Sequence, residues 1–83
     1  MTFADEVHLE LDQACLRFRP FNTLHEAYAV ILEEVDELWD HVRVSQNKRD
    51  RTAILHELIQ IGAMAERAAR DLHLMGKDDG GVP

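Results

Sequence analysis

The sequence predicts an all-α fold: a short bundle of about three helices, completed as a four-helix-type bundle by homo-oligomerisation. Three observations carry this prediction. Apolar residues recur every three or four positions over most of the chain, and no stretch alternates apolar and polar residues for long. Proline and glycine fall only at Pro20, at Gly62 and near the C-terminal end. The chain has 83 residues and one cysteine, Cys15. A chain of this size buries roughly 60% of the surface its unfolded form exposes. With no intramolecular disulfide available, self-association is the remaining source of stability.

The first helix is expected over about Phe3–Phe18. Thr2 with Asp5 has the form of an N-terminal capping box, with aspartate in the usual glutamate place. Phe3, Val7, Leu11, Ala14 and Phe18 recur at helical spacing. Pro20 ends the segment, because the residue before a proline is pushed out of the α region. Cys15, next to this stripe, reads as a small core side chain.

The second helix has the clearest start. Thr23-Leu-His-Glu26 is a full capping box, with Thr23 on the third helical amide and Glu26 reaching back to the cap. The helix is expected to run to Val42 or Arg43. Leu24, Ala27, Tyr28, Ile31, Val35, Leu38, Trp39 and Val42 form one apolar stripe, read as the core face. Ser45–Asp50 is a polar turn.

The third helix is expected over about Arg51–Leu74. Ile54, Leu58, Ile61, Ala65, Ala68 and Leu72 form its stripe, and its small residues allow close approach of another helix. Gly76 is the expected stop. Residues 1–75 thus form the helical domain, and 76–83 a polar, glycine-rich tail expected to be disordered.

The formal net charge is −7, which argues against general nucleic-acid binding, since that needs a basic footprint. No apolar run reaches the roughly 18 residues a membrane helix needs. The lone thiol and the lack of a secretory leader point to a reducing cytoplasm. From Phe21 to Val42 there is no Lys or Arg but six acids: Glu26, Glu33, Glu34, Asp36, Glu37 and Asp40. On a helical wheel Glu33 and Glu37 lie about 40° apart, and Glu34 and Glu37 about 60° apart. Glu34 borders the apolar stripe, so Glu34 and Glu37 can converge at the edge of a helix–helix contact with Glu33 beside them. Like charges four residues apart cost a helix a few tenths of a kcal/mol per pair. No base on this helix before Arg43 offsets them, whereas a hard divalent cation would. The third helix adds a polar notch at Glu57 and Gln60. The bland reading of the same acids is a solvated face.

Glu33-Glu34-x-x-Glu37 followed by Glu57-x-x-Gln60 resembles the E-E-x-x-E … E-x-x-D signature of the MazG-like, all-α nucleoside triphosphate pyrophosphohydrolases. The resemblance covers roughly Phe18 to Leu72. It implies subunits that pair to build a four-helix bundle around each active site, as a homodimer or homotetramer. It also implies Mg²⁺, with Mn²⁺ as a substitute, and hydrolysis of a nucleoside triphosphate to the monophosphate and pyrophosphate. By position, Glu34, Glu37 and Glu57 would be metal ligands, with Gln60 in the fourth place and Glu33 as ligand or water-orienting base. Glu33, Glu34 and Glu37 would be the catalytic set. The departure is Gln60, where the signature has aspartate: an amide offers a carbonyl oxygen but no charge and no base. Lys48, Arg49 and Arg51 can contact substrate phosphates, or form only a solvated turn. His56-Glu57-x-x-Gln60 lacks the second histidine of a zincin motif. The alternative function is a non-catalytic helical interaction or regulatory module on the same scaffold.

Overall fold

The computed structural model describes residues 1–75 and holds three α-helices, α1 (Phe3–Arg17), α2 (Leu24–Val42) and α3 (Arg51–Asp71), with one 3₁₀ turn at Gln46–Lys48. Among the described residues there is no strand. The segment 76–83, expected to be a disordered tail, and Gly76 within it lie outside the described residues.

Local chemistry sets the helix ends. The Thr2 hydroxyl accepts from the Asp5 amide at 3.1 Å, and Asp5 Oδ2 accepts from the Thr2 amide at 3.0 Å, which completes the box. At α2, Thr23 Oγ1 accepts from the Glu26 amide at 3.0 Å, but Glu26 Oε1 reaches past the cap to the Asn22 amide at 2.8 Å. Asp50, read from the sequence as part of a turn, caps α3 by accepting from the Ala53 amide at 3.1 Å. Arg49 closes the other side of that connection, donating from Nη2 to the Val42 carbonyl at 2.7 Å.

α3 stops at Asp71, three residues before the expected end at Leu74. His73 takes a left-handed φ of 55°. Its amide donates to the Arg70 carbonyl and that of Leu74 to Ala69, a Schellman closure with histidine in the glycine place.

α3 is the central element and packs against both α1 and α2. The core joins Val7, Leu11 and Ala14 of α1 to Ala63, Met64 and Ala68 of α3, with Phe21 of the α1–α2 connector wedged beside them. Gly62 eases this approach: a Cβ there would sit 3.1 Å from Val7 Cγ2, and that side chain would have to give by a few tenths of an ångström.

Two expected core stripes are only partly buried in the single chain. Of the α2 stripe only Ala27 is buried, and Leu24, Tyr28, Val35 and Trp39 are 60%, 66%, 41% and 58% exposed. On α3, Leu58 and Ala65 are exposed while Ala63 and Met64 are buried. The reason is topological. α3 lies between two partners and buries a band that serves both. α2 packs chiefly on α3, so its apolar face is wider than its contact. Cys15 is likewise exposed and not a core side chain.

Candidate metal-binding cleft

α2 and α3 form a helical hairpin, and its facing edges carry the acids. On α3, Glu57, Gln60, Met64, Arg67 and Asp71 follow one another at steps of three and four, so they share one strip of the helix. On α2, Glu33, Glu34 and Glu37 share the adjoining edge. The fold brings Glu34, Glu37 and Glu57 together: each offers a carboxylate oxygen, and these oxygens all lie within 4.8 Å of one another.

Glu57 is the least accessible of the three, at 9% exposure, and its Oε1 is buried with no hydrogen-bond partner. Burying an uncompensated carboxylate oxygen is costly unless a cation or a proton meets it. The neighbouring acids register the same strain electrostatically. Burial pushes the Glu34 carboxyl up to about 7, helped by the hydrogen bond that only its protonated form can donate to Glu57 and by the charges of Glu37, Glu57 and Glu33. The Glu37 carboxyl is also raised, first by desolvation and then by the charge of Glu57. Three carboxylates gathered this closely could hold a hard, oxygen-seeking divalent cation, and their all-oxygen donor set is the kind that Mg²⁺ takes.

An open cleft of about 560 Å³ borders this cluster. Glu33 lines it without joining the three-carboxylate group, and Gln60 lines it with its amide nitrogen 3.5 Å from His56 Nε2. The basic residues singled out from the sequence do not. Arg49 and Arg51 border a separate groove with Leu55 and Leu58, and the Arg49 guanidinium is tied to the Val42 carbonyl. Lys48 borders neither.

The cations of the acid cleft are Arg17, Arg19 and Arg67, none of which the sequence reading selected. Arg67 is only 5% exposed. Its Nη2 donates to the Arg19 carbonyl at 2.6 Å, its Nε lies 3.5 Å from Asp71 Oδ2, and its guanidinium stacks on Phe21 at 4.1 Å. Asp71 Oδ2 in turn accepts from the Phe21 amide at 3.0 Å. Arg67 and Asp71 therefore pin the α1–α2 connector over the cleft. The available signal was the place of Arg67 on the strip that carries Glu57 and Gln60. Tyr28 and Trp39 line no part of this cleft.

Comparison with protein-family models, with curated proteins and with solved structures returns no match. Among the described residues no helix is long and apolar enough to cross a membrane.

Proposed function

We propose that this chain is a Mg²⁺-dependent nucleoside triphosphate pyrophosphohydrolase of the MazG-like type, acting in the cytoplasm as a homodimer or homotetramer. The observation that carries the reading is the convergence of the Glu34, Glu37 and Glu57 carboxylates, the last of which has a buried oxygen with no hydrogen-bond partner. These carboxylates would hold the cation, with Gln60 beside them as a neutral oxygen donor. The metal would supply neutralisation of the triphosphate charge, which is the main demand of phosphoryl chemistry. Glu33, which lines the cleft, would orient a water. The water oxygen bonds to the α-phosphorus and the bond from that phosphorus to the bridging oxygen breaks, giving the nucleoside monophosphate and pyrophosphate.

Gln60 supports a second reading, a non-catalytic interaction or regulatory module. The exposed α2 stripe, from Leu24 to Trp39, is compatible with it. Pyrophosphate release from a panel of nucleoside triphosphates, with Mg²⁺ and with Mn²⁺, separates the two. The enzyme reading expects release that Glu37→Gln abolishes. No release and no metal uptake by the parent would leave the interaction module.

A further inference from the structure

The cleft carries charge of both signs. Its acids are Glu26, Glu33, Glu34 and Glu37 of α2 and Glu10 of α1. Arg17 comes from the last turn of α1 and Arg19 from the connector that follows it. Arg67, the third cation, is already engaged by the Arg19 carbonyl and by Asp71. Arg17 and Arg19 are exposed and form no ion pair among the described residues, although Glu10, Glu26 and Glu33 border the same cleft. Arg19 is nonetheless held in place, because its own carbonyl accepts from the buried Arg67. One wall thus presents two uncommitted guanidiniums, Arg17 at the end of α1 and Arg19 on the anchored connector. The other presents Glu34 and Glu37, two members of the three-carboxylate cluster.

A simple anion would be repelled by the acids, and a bare cation would leave the arginines unused. A ligand that satisfies both walls carries a divalent cation at one end and surplus negative charge beyond it. A polyphosphate chain has that chemistry, and guanidinium is well matched to phosphate oxygens. We infer that Arg17 and Arg19 form an anion subsite that binds the phosphates of a metal-bound polyphosphate ligand. The inference rests on the proposed metal-dependent reading of the same cleft and names the residues that would grip the substrate away from the metal.

The test uses inorganic tripolyphosphate as the probe, titrated by calorimetry into the full chain with and without Mg²⁺. The parent should bind it with Mg²⁺ present, more weakly as salt is raised. The Arg17→Ala/Arg19→Ala double variant should bind about tenfold or more weakly, while its uptake of Mg²⁺ alone stays at the parent level. Arg17→Lys/Arg19→Lys should recover part of the affinity. Arg43→Ala/Arg70→Ala removes the same charge from outside the cleft and should leave binding unchanged. Circular dichroism and melting establish that each variant is folded.

If the arginine variant binds tripolyphosphate as the parent does, the subsite is overturned and the metal site stands. If the parent takes up no Mg²⁺ but binds tripolyphosphate through the arginines, the subsite is supported and the metal reading falls. A parent that binds no tripolyphosphate under either condition overturns the subsite. So does an equal loss in the Arg43/Arg70 variant, which would reduce the effect to net charge.

Discussion

Glu34 of α2 and Glu57 of α3 are separated by a helix, a turn and the start of a second helix, yet they present carboxylate oxygens within 4.8 Å of each other, and Oε1 of Glu57 has no hydrogen-bond partner. Two acids in that relation destabilise each other in the metal-free chain and are stabilised by a cation bound between them.

Mg²⁺ is therefore expected to raise the melting temperature. A ligand that binds only the folded state at a hundredfold over its Kd contributes about 2.7 kcal/mol. Glu57→Gln should abolish most of that increment and, by removing one repelling charge, should melt above the parent in EDTA. Identical melting curves with and without millimolar Mg²⁺ would instead support a solvated acidic face.

The pH dependence has a definite sign. The folded-state pKa of Glu34 lies at about 7 against an ordinary 4.5, chiefly through burial. The folded chain then holds more protons than the unfolded one between those values, so metal-free stability falls as pH rises through that window. Mg²⁺ requires ionised carboxylates, so its affinity should climb across the same window with release of protons. Melting curves in EDTA from about pH 4.5 to about pH 8 should show the decline, and Glu34→Gln should flatten it. A parent whose stability rises over that range would contradict the assignment.

Gln60→Asp restores the charge that the MazG-like signature carries at this position. Mg²⁺ affinity should increase, by about tenfold if the added carboxylate reaches the cation, and pyrophosphate release should increase with it. Calorimetry and the release assay read the two effects separately. Robust activity in the parent that Gln60→Asp destroys would mark the glutamine as a working part of an altered site.

Self-association should cover the open face of α2. Leu24, Tyr28, Val35 and Trp39 are each more than a third exposed, and full burial of such side chains is worth about 1.5–3 kcal/mol apiece. Sedimentation equilibrium at micromolar concentration should report a dimer or larger species, and Val35→Asp with Trp39→Glu should shift it to monomer. A folded monomer from the parent chain would remove the shared-site arrangement.

Arg67→Met should cost about 3 kcal/mol in urea denaturation, the usual scale for breaking a buried charge pair. The substitution leaves Asp71 and the Arg19 carbonyl without their cation. Because the connector carries Arg19 into the cleft, tripolyphosphate binding should weaken in the same variant. A loss under about 1 kcal/mol would mean that the pair is solvated in solution.

The sequence by itself determined the helices and nearly all their ends. Thr2, Thr23 and the spacing of the apolar residues act over three or four positions, so their consequences are local and can be read along the chain. It also determined that Glu34 and Glu37 share a helix edge, since that follows from helical pitch alone. The tertiary structure decided which faces are covered. α3 took the central place, so Ala63 and Met64 became core, while Tyr28 and Trp39 were left outside. It also decided which cations meet the acids. Arg49 turned to the end of α2, while Arg17 entered the cleft from the end of α1 and Arg19 on a connector held by Arg67, 48 positions away from Arg19. Helical periodicity orders residues along one element. The distance between two elements, and the sense in which a connector turns over a cleft, depend on packing contacts between segments far apart in the chain, and those exist only once the helices have docked.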